Sequence, residues 1–161
     1  MKLFLISVSV FFTFILDSNT ESLAKKLESY YKIEFGTINL GSLSWTINID
    51  ENSYLTSMIL KDKGVFSVLY NFSGKYSSEG KIINGEFVSL KYKQSWKTKK
   101  KTRNVEILFN NTMVSNLSLW PKEKELPRID YLKVVGLIDP ISSMLNIIKN
   151  SKNNFKTTDG R

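Results

Sequence analysis

The sequence predicts a mainly β (α+β) domain, an antiparallel meander ending on one short helix. Three observations predict it. Short runs of alternating apolar and polar residues recur at strand-like spacing. Turns rich in Gly, Asn and Asp separate them. One capped, amphipathic segment follows at 139–150.

Leu23 to Tyr30 is a short polar lead-in with helical character. Tyr31, Ile33 and Phe35 then alternate with Lys32 and Glu34, and Ile38 and Leu40 alternate in the opposite phase. Leu43, Trp45, Ile47 and Ile49 return to the first phase. A slip of one residue inverts the faces of a strand, and the slips fall at Gly36 and near Gly41. Glycine there predicts bulges or sharp bends in one long, curved strand, with a hairpin near Gly41 as the alternative. Asp50-Glu51-Asn52 is a turn, Tyr54 to Leu60 a strand, and Lys61 to Gly64 another turn. Val65 to Phe72 reads as strand or short helix, because periodicity does not separate the two. Tyr76 to Ile83 and Phe87 to Trp96 flank Asn84-Gly85, the clearest hairpin signal in the chain. Lys97 to Arg103 is a solvated turn, with lipid head groups as its other reading. Asn104 to Phe109 and Thr112 to Trp120 are strands around a turn at Asn110-Asn111. Asp139 suits an N-cap and Pro140 the first helical position. Ile141, Met144, Leu145 and Ile148 then form one apolar stripe on a helix of about 11 residues.

The N-terminus reads as a secretion leader. Lys2 precedes an almost wholly apolar run, Leu3 to Leu16, which spans roughly 21 Å as a helix at 1.5 Å per residue. A membrane span needs about 20 residues, so this run fits a signal peptide better than an anchor. Ser22 and Ala24 suit cleavage after Ala24, giving residues 1–24 as leader and 25–161 as one domain. An uncleaved anchor and a buried core helix are the alternatives. The expected location is periplasmic or secreted, with no membrane span after cleavage.

Composition narrows the chemistry. The net charge is +8, and 20 of the 23 basic residues are Lys. Phosphate and base readers lean on Arg forks, so nucleic acid is not the expected partner. Histidine and cysteine are both absent. That argues against the commonest general base, zinc and copper sites, disulfides and a lipid-bearing cysteine, and no cofactor is expected. Ser-x-x-Lys spacing occurs at Ser22/Lys25, Ser29/Lys32 and Ser78/Lys81, about as often as so many serines and lysines give by composition. Glu34, Glu86 and Glu106 lie on or beside predicted strands without a pairing that suggests acid–base work. The sequons at Asn71, Asn110 and Asn116 are expected in so Asn-rich a chain. No enzyme activity is expected.

The aromatic residues are the suggestive feature. Trp45, Phe66, Tyr70, Phe72, Phe87, Tyr92, Trp96 and Trp120 are many large rings for one small domain. They read either as ordinary core or as an apolar ligand face, for which Trp45, Phe66, Tyr70, Phe87, Tyr92, Trp96 and Trp120 are the candidates.

Several of these residues together resemble the DUF3108 family of exported bacterial proteins of unknown function. The resemblance rests on Tyr31-Lys32-Ile33 through Leu40-Gly41-Ser42-Leu43, on Tyr54, and on the helix start Asp139, Pro140, Ile141 and Ser142. A final turn, Asp159-Gly160-Arg161, completes it, with Thr158 where the family carries Phe. The resemblance implies a twisted antiparallel sheet curved into a half-barrel over the helix, similar to periplasmic lipoprotein-carrier folds. It also implies that the final strands are missing from this chain. The expected function is an envelope binding or carrier module that shelters an apolar or lipid-like ligand. The alternative is an assembly protein that binds other envelope proteins through its sheet.

Overall fold

In the computed structural model, residues 25–125 and 130–155 are described. Seven strands follow one another: β1 (Lys25–Phe35), β2 (Ile38–Ile49), β3 (Ser53–Asp62), β4 (Ser73–Ile83), β5 (Glu86–Lys97), β6 (Thr102–Asn110) and β7 (Met113–Trp120). They pair in sequence order as one antiparallel sheet, open between β1 and β7. A short helix α1 (Val65–Leu69) links β3 to β4, and a 3-10 turn (Tyr131–Lys133) lies against β7. Helix α2 (Pro140–Phe155) packs on β4 and β5. Among the described residues no helix is long and apolar enough to cross a membrane.

The predicted mainly β fold with one C-terminal helix is therefore present, and the sheet does not close into a barrel. Three local expectations change. The polar lead-in is strand from Lys25 onward, because Leu27 and Tyr31 line up with Ile47 and Leu43 of β2. The long strand across Gly36 is a hairpin: Gly36 has φ +59, a turn conformation open to glycine, and β1 and β2 pair on either side of it. The slip near Gly41 is a bulge, where Leu40 lacks a partner between Asn39↔Glu34 and Gly41↔Ile33. A Cβ at Gly41 would run into the Lys61 carbonyl oxygen of β3, so the strands touch there. Val65 to Leu69 resolves to helix, and α2 runs five residues past Asn150.

Register explains the core. Ile47, Thr56, Ser78, Tyr92, Ile107 and Leu117 lie in one row across β2 to β7, with Trp45, Met58, Tyr76, Gln94, Val105 and Leu119 in the next. Leu90 is an extra residue in β5, so Phe87 and Ser89 share a face with Tyr92 and Gln94 despite the broken alternation. The buried cluster runs from Trp45 and Ile47 through Tyr54, Met58, Phe87 and Tyr92 to Phe109 and Val114, and α2 adds Ile141 and Leu145. Met144 and Ile148 of the predicted stripe stay largely exposed.

Candidate functional site

Asp139 is the centre of a buried polar cluster on the helix-facing side of the sheet. Its Oδ1 accepts from the backbone N–H groups of Ile141 (2.9 Å) and Ser142 (3.1 Å), the N-cap geometry expected of Asp-Pro. Its Oδ2 accepts from the hydroxyls of Ser142 (2.5 Å), Ser89 (2.5 Å) and Ser78 (2.8 Å). The Asp139 N–H donates to Ser89 Oγ at 3.1 Å. Tyr54 completes the set, its hydroxyl donating to Ser142 Oγ at 2.5 Å because the Ser142 proton is directed at Asp139. Gly80 makes room for that ring, since a Cβ there would stand 2.7 Å from Tyr54 Oη.

All five side chains are at most 4% exposed, and among the described residues no Lys or Arg bridges to Asp139. Burial raises the Tyr54 phenol above its ordinary pKa. Tyr92, beneath the same helix, is pushed up to about 12 by burial, with the Asp139 carboxylate adding to the effect. A cluster this closed presents no hydroxyl to a substrate. Its chemistry is that of a fastener joining α2 to β3, β4 and β5. Asn146, one turn beyond Ser142, adds a second tie. Its side-chain amide accepts from Phe87 N–H (2.8 Å) and donates to Phe87 O (3.1 Å), where β6 no longer covers β5.

The seven aromatic candidates divide among separate places. Trp45, Phe87 and Tyr92 are core: the Trp45 indole N–H donates to Thr56 Oγ1 at 2.8 Å, and Phe87 stands edge-on to Tyr54 at 5.1 Å. Trp96 is half-buried at the far end of β5. Phe66 and Tyr70 stack on each other at 6.0 Å on and just after α1, in solvent. Trp120 lies on the opposite face of the sheet from α2, at a groove of about 420 Å³ lined also by Lys75, Lys93, Asn104 and Glu106. Phe72 is half-buried. Of the family-motif positions, Gly41, Asp139, Pro140 and Ser142 stand as described, while Asp159, Gly160 and Arg161 lie outside the described residues, as does the leader.

A second groove, of about 410 Å³, opens where α2 leaves the sheet beside β1 and β2. Leu27, Ile47, Ile49, Ile82, Phe87, Leu145 and Ile148 line it, and Lys25 and Lys149 stand at its rim. Lys149 also donates to the Gly85 carbonyl oxygen (2.5 Å) and pairs with Glu86 (3.3 Å). Phe87 alone belongs to the predicted aromatic face. The other lining residues carry no ligand signal in the sequence, since Leu27 falls in the polar lead-in and the isoleucines belong to strand alternation and to the helix stripe. Among the described residues no three acidic side chains gather as a metal site.

The comparisons agree with the residues that suggested the family. No curated protein and no solved structure matches the chain. The sequence pattern described as a protein of unknown function, DUF3108, matches residues 30–160, from β1 through the capped helix and beyond, and the chain belongs to the DUF3108 family.

Proposed function

We propose that the chain is exported, is cleaved after Ala24, and acts outside the cytosol as a non-enzymatic binding or carrier domain for a single-chain anionic amphiphile. The observation that carries this reading is the groove between α2 and β1/β2. Its walls are apolar, its rim carries Lys25 and Lys149, and its volume of about 410 Å³ lies within the usual range of ligand sites. An acyl chain would lie on Ile47, Ile49 and Ile148 with its head group at the lysines. The leader pattern is in keeping with that location.

Dodecanoate should displace anilinonaphthalene sulfonate from the protein. Ile148→Glu, on an exposed flank of the groove, should weaken dodecanoate at least tenfold, while Trp120→Ala on the other face should leave it unchanged. Equal affinity in wild type and Ile148→Glu would remove the groove as the site.

The second reading, assembly through the sheet, is favoured by the sequence of the free edge. β1 is exposed along nearly all its length. Paired antiparallel with a second copy about Tyr30, it places Lys26 opposite Glu34 and Glu28 opposite Lys32, with Leu27 opposite Ile33 on the other face. Moving the register by one pleat either way sets Lys26 against Lys32 or Glu28 against Glu34. Cross-strand charge pairs of this kind select register. Glu28→Lys or Lys32→Glu alone should abolish self-association seen by sedimentation, and the double exchange should restore it. A monomer at every concentration would rule this reading out.

A further inference from the structure

One end of the sheet differs from the rest of the surface. The register places the Gly36 hairpin, α1 and the Lys97 to Thr102 loop together there, because Gly41 pairs with Asp62 and Ser73 with Lys97. Phe35, Val65, Val68 and Leu69 each keep 62–77% of their surface exposed, and Ile38 and Tyr70 add to them. All six come from only two short segments, 35–38 and 65–70, and α1 buries no residue at all. Such an apolar patch is unusual on a surface without a partner.

The same end is basic. Lys61, Lys63, Lys97, Lys99, Lys100 and Lys101 are all exposed there. Of the acids nearby, Asp62 accepts from the Phe72 N–H at 2.7 Å and Glu34 pairs with Lys32. Lys99 braces the two parts against each other: its backbone N–H donates to the Tyr70 carbonyl oxygen at 2.9 Å, and its ammonium donates to that of Val68. The apolar helix is thus held beside the lysine loop rather than left to fold onto the sheet.

We propose that this end docks on the surface of an anionic membrane. Val65, Val68 and Leu69 would enter the head-group boundary while the lysines face the lipid phosphates, the division of labour of an interfacial helix. Lysine suits this better than arginine-based readout, since the partner is a diffuse negative surface rather than a defined phosphate geometry. The docking does not depend on the groove being a ligand site, which lies beside the opposite end of the strands.

The test is co-sedimentation of the chain recovered after export, wild type and variants prepared alike, with vesicles of phosphatidylglycerol and of phosphatidylcholine. Wild type should bind phosphatidylglycerol and be released by salt, because exposed charges are screened. The double variant Val68→Glu/Leu69→Glu should lose most of that binding. Lys100→Glu/Lys101→Glu should weaken it at least tenfold, given about one kcal/mol per lysine near such a surface. All four positions are exposed, and unchanged circular dichroism would establish that the variants fold. Absence of wild-type binding, equal binding to both lipids, or binding that survives both double variants would overturn the proposal. Dodecanoate affinity should be unchanged in these variants, so loss of docking and loss of the groove site are separate results.

Discussion

Asp139 holds its own helix and two strands with one carboxyl group. Buried networks of this kind stabilise when every member is satisfied and become costly when one is removed. Asp139→Ala takes away the helix cap and leaves the Ser78, Ser89 and Ser142 hydroxyls without their acceptor. It should cost about 2–4 kcal/mol in urea denaturation, from a cap worth about 1 kcal/mol and buried hydroxyls left unpaired. The tyrosines predict a pH dependence. Tyr92 is held up at about 12 against an ordinary value near 10, and burial raises Tyr54 and Tyr76 in the same direction. A phenol whose folded pKa is raised stabilises the fold below its unfolded pKa and loses that contribution as pH climbs through the folded value. Denaturant midpoints should therefore fall between about pH 10 and pH 12, and Tyr92→Phe should flatten that fall. The cap was legible in Asp-Pro, because capping is local chemistry. Ser142 belongs to the same helix start, but the other two serines were not legible: Ser78 and Ser89 sit in ordinary strand sequence, and only the register of β4 with β5 brings them under the helix.

At the scale of elements, strand reading worked where turns carry their own signature. Asn84-Gly85 has φ +50 and +78, the left-handed pair that a two-residue hairpin demands. It failed at Gly36, where the same phase slip marks either a bulge or a reversal of the chain. Gly41, five residues later, shows the other outcome, and nothing in the neighbouring residues separates the two. The helix end was missed for a different reason. The apolar stripe stops at Ile148, and the polar run Lys149 to Asn154 gives no sequence signal that the helix continues to Phe155. Asn146 makes an element-level prediction, since its side chain stands in for a missing strand beside Phe87. Asn146→Leu should cost about 1–3 kcal/mol, the price of an unpaired buried backbone group, whereas Asn150→Ala should change the denaturation midpoint little.

At the scale of the molecule, composition and arrangement carry different information. Twenty lysines in an Asn- and Ile-rich chain look like background, and the sequence alone gives no reason to connect Lys63 with Lys100. Pairing of β2 with β3 and of β4 with β5 connects them, at the end where α1 exposes its valines and leucine. The groove at the other end is similarly non-local, joining Leu27 of the first strand to Ile148 of the last helix. An open sheet with an apolar groove, a basic apolar tip and a self-complementary edge supports the role at a membrane surface proposed above. The most direct measurement is a native mass spectrum of the chain expressed from its first codon and recovered from the periplasm of a Gram-negative host. Export and ligand binding together predict a mass short of residues 1–24 with an adduct of single-chain lipid size, lost in Ile148→Glu. An unprocessed chain without an adduct would contradict both the export and the binding function proposed for it.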